Sequence, residues 1–390
     1  MERHTKPLAA FCLAAFLAGA CGRQPDEAPE STFSYETWDS AGVQIAENFG
    51  IPAAEASWSV AARPSVRIGG DSGGSAAMFT MAAQATRLGD GRIVVLEYTE
   101  SELRFFDENG VHLRTVEGRG DGPREFEGAP TFVRLPGDTL LVVALGRQVF
   151  FDPGGDYIRD ERIDARRHFS GNTEPCSMVT ILSDGSFVVC VFFPTGDSTG
   201  RYASRVGRVI RFPSDDALVP LGGYSEDYWG FFQPFTWIAS GGSPPVVAIA
   251  NNLAYSIEVW HPDGHLSRII RRPDGLRAPT STEISAGAEH LERAYGLSFR
   301  DRQPPELVPP AFGLTVGAAG DVWIRREPFV PDYEESVFDI FDRDGRFRGE
   351  VRFEGYFWLY EVGDDYVLGM RLDALDVPYV QLHRLDRGPS

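Results

Sequence analysis

Several residue types are scarce in this chain of 390 residues. Its only lysine is Lys6, which lies in a segment that we expect to be removed. The mature chain therefore lacks a lysine for Schiff-base chemistry or for a phosphate-binding loop of the Walker type. Positive charge is also short, because 37 basic residues face 56 acidic ones and give a net charge of −19. Nucleic acids and anionic membrane surfaces are accordingly poor partners.

The N-terminal residues predict export. Arg3 and Lys6 precede an apolar run that is too short to span a bilayer stably, which is typical of a signal peptide over residues 1–20. The tail Leu17-Ala-Gly-Ala-Cys21 is similar to a bacterial lipobox, in which the cysteine is acylated. The alternative is ordinary cleavage near Ala20. We expect lipidation at Cys21, anchoring to the cell envelope at the outer membrane, and a flexible polar tether over residues 21–38.

Only two cysteines follow this segment, Cys176 and Cys190, and they flank the turn Ser183-Asp-Gly185 of one predicted hairpin. In an oxidising compartment they could form a disulfide between adjacent strands. Two buried thiols are an equally good interpretation. Neither cysteine has further partners at the spacing of a zinc site.

Two sequence patterns alternate along the rest of the chain. The first is a Gly-Asp turn followed by β-branched residues, as in Leu88–Val95, Leu135–Val143 and Leu182–Val189. The second is an alternating strand that ends in an aromatic residue, an Asp or Pro and a Gly turn, as in Leu103–Gly110. Each pattern occurs six times, so each repeat supplies four short strands. This periodicity predicts an all-β, six-bladed β-propeller with four-stranded antiparallel blades over residues 39–390.

Two features modify the repeat. Residues 282–297 have apolar side chains at helical spacing, which predicts one short helix inserted between blades. The last repeat ends close to the C-terminus, so the final blade needs strands from the N-terminal side. Val43–Ala46 and Trp58–Ile68 are the candidates. We expect the closed ring to be a monomer.

The segment Val116-Glu-Gly-Arg-Gly-Asp-Gly-Pro-Arg-Glu-Phe126 resembles an NHL-type repeat, with Arg124 where that pattern usually has Gly. Together with Asp39–Val43, Tyr255–Trp260 and Asp376–Val380, it is similar to the exported NHL-like or TolB-like propeller lipoproteins. The resemblance covers about residues 39 to 386 and implies the fold. It implies little about activity, because one fold carries many functions.

If the NHL-type strand order holds, the loops that precede the first strand of each blade and those that follow its second strand lie on the same face of the ring. This face would present the candidate ligand-binding residues Glu97, Tyr98, Arg119, Asp121, Arg124, Glu125, Arg147, Asn251, Asn252, Arg325, Arg326 and Arg371. The alternative is that Gly118–Phe126 is a structural turn and that these charged residues are solvated. The aromatic residues between Tyr224 and Trp237 could bind a sugar or peptide, or pack between blades. His261 and His265 flank a turn and are not spaced as a helical metal pair.

These features predict a binding or scaffold module for a protein, peptide or glycan, without cofactor or metal. The alternative is a metal-dependent hydrolase or lyase similar to the gluconolactonase-like propellers, which hold a divalent ion in the channel. Glu97 and Asn251 stand where such ligands occur, but Arg147, Arg325 and Arg371 occupy corresponding positions. These cations oppose a hard metal ion and favour an anionic ligand.

Overall fold

The computed structural model describes residues 33–70, 74–120, 122–126, 128, 130–144, 147–162, 174–194, 202–209, 219–226, 236–250, 254–295, 306–326 and 335–388. Their strands are, in chain order, β1 (Ser34–Ser40), β2 (Val43–Phe49), β3 (Ser59–Val60), β4 (Val66–Ile68), β5 (Ala82–Arg87), β6 (Ile93–Glu97), β7 (Glu102–Phe106), β8 (His112–Glu117), β9 (Thr131–Arg134), β10 (Leu140–Ala144), β11 (Arg147–Phe151), β12 (Tyr157–Arg162), β13 (Glu174–Ile181), β14 (Phe187–Pro194), β15 (Tyr202–Val209), β16 (Val219–Glu226), β17 (Trp237–Gly241), β18 (Val246–Ala250), β19 (Ser256–Trp260), β20 (Leu266–Arg271), β21 (Gly313–Val316), β22 (Val322–Arg325), β23 (Glu335–Phe341), β24 (Phe347–Glu354), β25 (Phe357–Val362), β26 (Tyr366–Leu372) and β27 (Pro378–Asp386). Single 3-10 turns lie at Ala54–Ala56, Ser75–Ala77, Pro136–Asp138 and Pro273–Gly275.

The described strands form six sheets, in which successive strands are antiparallel neighbours. Four sheets have four strands each, β5 to β8, β9 to β12, β13 to β16 and β21 to β24. The sheet of β17 to β20 is extended by β2 and β1, and the sheet of β25 to β27 receives β3 and β4. The predicted all-β propeller of antiparallel sheets is therefore confirmed. The blade count of the whole chain stays a prediction.

The turns explain why the two sequence patterns recur. In the first pattern, Leu88 N–H donates to Arg92 O at 2.8 Å and Gly91, with φ of +94°, reverses the chain. In the second, the Asp107 carboxylate accepts from the N–H groups of Asn109 and Val111 at 2.9 and 2.8 Å. Local hydrogen bonds of this kind close a hairpin without help from distant residues.

The hydrophobic core lies between neighbouring sheets. One cluster combines residues of β6 and β7 with residues of β10 and β11, and Phe126 packs there edge-on against Phe151 with ring centroids 5.9 Å apart. Further clusters join other neighbouring sheets in the same way. A single sheet would leave these faces in water, so the sheets stabilise each other.

The N-terminal segments close the ring as predicted in one part only. Trp58–Ile68 supplies β3 and β4, which pair with β27 at Leu385↔Val60 and Leu382↔Val66. Val43–Ala46 instead belongs to β2, which pairs in parallel with β20. This second part of the prediction is wrong, because β3 and β4 already occupy the outer edge of β27.

Asn48 joins the β1–β2 hairpin to the neighbouring sheet, at the turn between β23 and β24. The Asn48 side chain donates to Gly345 O at 2.9 Å and accepts from Phe347 N–H at 2.8 Å. Strand β1 begins at Ser34, so it overlaps the C-terminal part of the segment predicted as a tether.

The inserted helix is confirmed as α1 (Ser281–Tyr295). Its N-terminus is capped reciprocally, since Thr280 N–H donates to Glu283 Oε2 at 2.8 Å and Glu283 N–H donates to Thr280 Oγ1 at 3.2 Å. Among the described residues, no helix has the length and apolar character needed to cross a membrane.

Candidate functional site

A central channel of about 900 Å³ opens in the described part of the molecule. Its walls come from the first strands of the sheets, β5, β9, β13, β17, β21 and β25. Ligand sites in proteins are usually concave openings of this kind.

The strand register defines the two faces of the ring. Ala82 at the start of β5 pairs with Glu97 at the end of β6, and Gly313 pairs with Arg325 in the same way. Phe357 likewise pairs with Arg371. We call this side, where the links between sheets also lie, the connection face.

Glu97 does not present its carboxylate to a ligand. The residue is completely buried. Its oxygens accept from the N–H groups of Thr80 and Met81 at 3.1 Å each and of Thr99 at 3.3 Å. Glu97 therefore fixes the link that leads into β5, and its role is structural in this geometry.

Arg119 and Arg147 also hold loops of the connection face. Arg119 donates to Thr99 O at 3.0 Å and pairs with the Glu100 carboxylate at 3.2 Å. Arg147 donates to Gly122 O and lies 3.5 Å from the Asp160 carboxylate. The Glu125 carboxylate accepts from the N–H of Gly122 within the same loop.

The loop around Gly118 packs as a structural turn. Gly118 N–H donates to Ser101 O at 2.9 Å, and Phe126 N–H donates back to Gly118 O at 2.6 Å. A side chain at position 118 would collide with the Phe126 ring. Of the candidates in this loop, Arg124 is exposed.

Several predictions concern residues outside the described ranges. Asp121, Asn251, Asn252, Cys21 and the aromatic residues of the segment 227–235 belong to this group. The side chains of Cys176 and Tyr224 are also outside the description, whereas Cys190 is buried in the core beside Leu182. The disulfide stays a prediction. His261 and His265 lie in a turn as predicted, with His261 N–H donating to His265 O at 2.7 Å.

Arg325 and the residues near it form one side of the channel mouth. Arg325 is 6% exposed, lines the channel and places its guanidinium carbon 4.6 Å from the Tyr356 ring centre. Trp358, which also lines the channel, is 44% exposed and tilts by 31° against Tyr356 at 6.1 Å. Trp237 lines the channel as well and packs against a core cluster. Aromatic faces and one cation therefore meet at this part of the mouth.

The opposite end of the channel carries a polar group that sequence reasoning missed. Glu361 accepts from Thr86 Oγ1 at 2.5 Å and lies 3.4 Å from Arg134. It also accepts from the Tyr366 hydroxyl. Burial and the Glu361 charge raise the pKa of Tyr366 far above its usual value. These contacts join three sheets, and no sequence motif marks them because the residues are far apart in the chain.

A second unforeseen cluster surrounds Asp339, which is completely buried in β23. Its carboxylate lies 2.7 Å from Arg272 and 3.6 Å from Arg326, and it accepts from the Tyr255 hydroxyl. Burial raises the pKa of Asp339, although both arginines oppose this shift. Arg326, a predicted ligand-face residue, also pairs with Glu350 at 2.5 Å and so has a structural partner on each side.

Within the described ranges, no three His, Cys, Asp or Glu side chains gather as potential ligands of a metal ion. The one described carboxylate of the predicted metal site, Glu97, is saturated by backbone N–H groups. A hard cation here would need oxygen ligands other than the Glu97 carboxylate.

No protein-family model matches the sequence, and no curated protein matches it. Solved structures do resemble the fold. A member of the DUF4221 family from Bacteroides vulgatus is 11% identical with a TM-score of 0.52, over 85% of this chain and 99% of that one. An exported protein from Bacteroides fragilis is 10% identical with a TM-score of 0.48, over 88% and 99% of the two chains. Regucalcin, a calcium-binding protein from Agrobacterium tumefaciens, is 10% identical with a TM-score of 0.40, over 84% and 95%. At such identities the likeness concerns the fold alone.

Proposed function

We propose that this protein is a binding module that takes a ligand into its channel from the connection face. The channel of about 900 Å³, with the exposed Trp358 ring at its mouth, carries this proposal. Arg325 is the predicted ligand-face residue that lines the channel, and three others, Glu97, Arg119 and Arg147, hold loops of the connection face. Loops that are fixed on a rigid scaffold in this way suit recognition.

The residues that line the channel favour an elongated polar ligand that also has flat apolar surfaces. Trp358 offers an exposed indole face, which can stack on a sugar ring or on an apolar side chain. Deeper in the channel, Gln84 and the hydroxyls of Thr180 and Ser240 line the wall, with the two hydroxyl oxygens 2.8 Å apart. A glycan or an extended peptide combines both kinds of surface, so these are the proposed ligand classes.

The alternative, a metal-dependent hydrolase or lyase, gains no support from the described residues. It requires a carboxylate free to bind an ion at the position of Glu97, and that carboxylate accepts backbone hydrogen bonds instead. We therefore rank binding above catalysis.

We further propose that the module is exported and is anchored to the cell envelope through a lipid on Cys21. The basic residues before the apolar run and the small residues before Cys21 support this part of the proposal.

Binding of the full chain to immobilised glycans and to immobilised peptides tests the proposal. A matched pair of substitutions is available, because Trp358 and Trp38 are 44% and 41% exposed but only Trp358 lines the channel. We expect Trp358→Ala to weaken binding about tenfold or more and Trp38→Ala to leave it unchanged. Binding to neither class, or equal loss in both variants, refutes the proposal. Cleavage of a bound probe would instead support the enzyme alternative.

A further inference from the structure

A second opening of about 250 Å³ lies on the closing sheet, apart from the channel. It is lined by residues of β4, β26 and β27 and of the turn between the last two. Arg371 pairs in register with Tyr379, and Arg67 pairs with Gln381. Because residues on one strand alternate between faces, Tyr379 and Gln381 face the same side, and both arginines reach this opening. We call it the arginine pocket.

The wall of the arginine pocket is fixed by close packing. The Arg67 guanidinium stacks on the Tyr379 ring at 3.8 Å. Gly69 and Gly70, both at positive φ, lie directly against that ring, and a Cβ on either would approach a ring carbon to 2.9 or 2.8 Å. Stacking holds the guanidinium plane while its N–H edge stays available for hydrogen bonds.

Two carboxylates lie near the two arginines of the pocket, and the Arg67 charge also acts on Asp373. Asp373, which also lines the pocket, accepts from the N–H groups of Leu375 and Val377 at 2.8 and 3.0 Å, and these bonds lower its pKa. Glu354 lies 3.3 Å from Arg371, but its side chain is 85% exposed and this pair is weak in water. No carboxylate of the described residues lies within ion-pair distance of Arg67. In a chain with a net charge of −19, the two arginines balance the charges of Asp373 and Glu354, so this opening is less negative than the chain as a whole.

We propose that the arginine pocket binds an oxyanion, a phosphate, sulfate or carboxylate group, between Arg67 and Arg371. Planar guanidinium groups match the paired oxygens of such groups. The Gln381 side chain, 7% exposed, forms part of the pocket lining. This site does not depend on the proposed channel ligand.

The test is calorimetric titration of the full chain with inorganic phosphate, sulfate and acetate, at low and at raised chloride. We expect one saturable site, weakened about tenfold by Arg67→Gln and by Arg371→Gln. Arg384→Gln is the matched control, because Arg384 is an exposed arginine on β27 that does not line the pocket. Thermal unfolding of each variant checks that the fold is intact.

Two further probes separate the sources of the anion. Tighter binding of glucose 6-phosphate or glucuronate than of the inorganic ion shows that the oxyanion is a substituent of a larger ligand, and equal binding shows that the free ion is bound. Either result supports the pocket. Lack of saturation with every probe, or equal loss in the Arg384→Gln control, overturns it. Because Trp358 is not part of this pocket, Trp358→Ala should keep oxyanion binding, so failure of the channel proposal is recognised separately.

Discussion

Substitution of Glu97 by Gln distinguishes a structural carboxylate from a metal ligand. In the structure, both Glu97 oxygens accept N–H groups, at 3.1 Å from Thr80 and at 3.1 and 3.2 Å from Met81. A third donor, Thr99 N–H, lies 3.3 Å away. Glutamine keeps one oxygen but turns an NH₂ group toward these donors, which leaves buried N–H groups without an acceptor.

The expected cost follows from the loss of these bonds. Hydrogen bonds to a charged group contribute about 1.5–3 kcal/mol each and are not additive, so we expect a net loss of about 3 kcal/mol in the free energy of unfolding. At about 2.1 cal/mol/K of unfolding entropy per residue, the roughly 290 residues that the structure describes correspond to a loss of about 5 °C in Tm. Circular dichroism during heating measures this change.

A neighbouring glutamate provides the control. Glu100 is half exposed and pairs with exposed Arg119 at 3.2 Å, so Glu100→Gln should change stability by less than about 0.5 kcal/mol. Unchanged stability of Glu97→Gln would refute the structural role. The finding of a stoichiometric divalent ion that this variant loses would refute it as well, and would restore the metal-dependent alternative.

Three other predictions address the closing sheet, the Gly-rich loop and the anchor. Burial lowers the pKa of His383, whose Nδ1 donates to Ala61 O at 2.8 Å. The unfolded chain therefore protonates this imidazole at a higher pH than the folded chain does. The free energy of unfolding accordingly falls as the pH drops below about 6.5. The stability advantage of the native chain over His383→Gln should therefore shrink between about pH 7.5 and pH 5.5 in denaturant titrations, and an advantage independent of pH contradicts this. Gly118→Ala should lower the free energy of unfolding in urea by about 1–3 kcal/mol, because the new methyl group meets the Phe126 ring. A urea midpoint equal to that of the native chain would show that the loop is not packed as described. Cys21→Ala should abolish incorporation of a labelled fatty acid, with Cys12→Ser as the control that keeps the label, and incorporation that persists in Cys21→Ala rules out the anchor at this position.

Much of the fold follows from local sequence. The Gly-Asp turns, such as the one closed by Leu88 and Arg92, form through hydrogen bonds between residues a few positions apart, and their repetition predicts the propeller. The strand that closes the ring was predictable for Trp58–Ile68 from the position of the last repeat. The same prediction is wrong for Val43–Ala46, because nothing in those residues shows which sheet edge is still unoccupied.

The candidate site was less accessible to sequence reasoning. Position along a repeat correctly associates Arg325 and Arg371 with the ends of second strands, on the connection face. It does not show that Glu97 is saturated by N–H groups or that Arg371 and Arg67 line one pocket. These facts depend on which loop covers a residue and on which distant strand lies beside it.

The sequence by itself determined the alternation of turns and strands, since both arise from the backbone preferences and hydrogen bonds of neighbouring residues. Tertiary structure alone decided the use of each charged side chain. Glu361 contacts Thr86, although 275 positions separate them, because ring closure brings the last sheet against the first. Burial and partner choice of this kind are properties of the packed ring, and no local pattern encodes them.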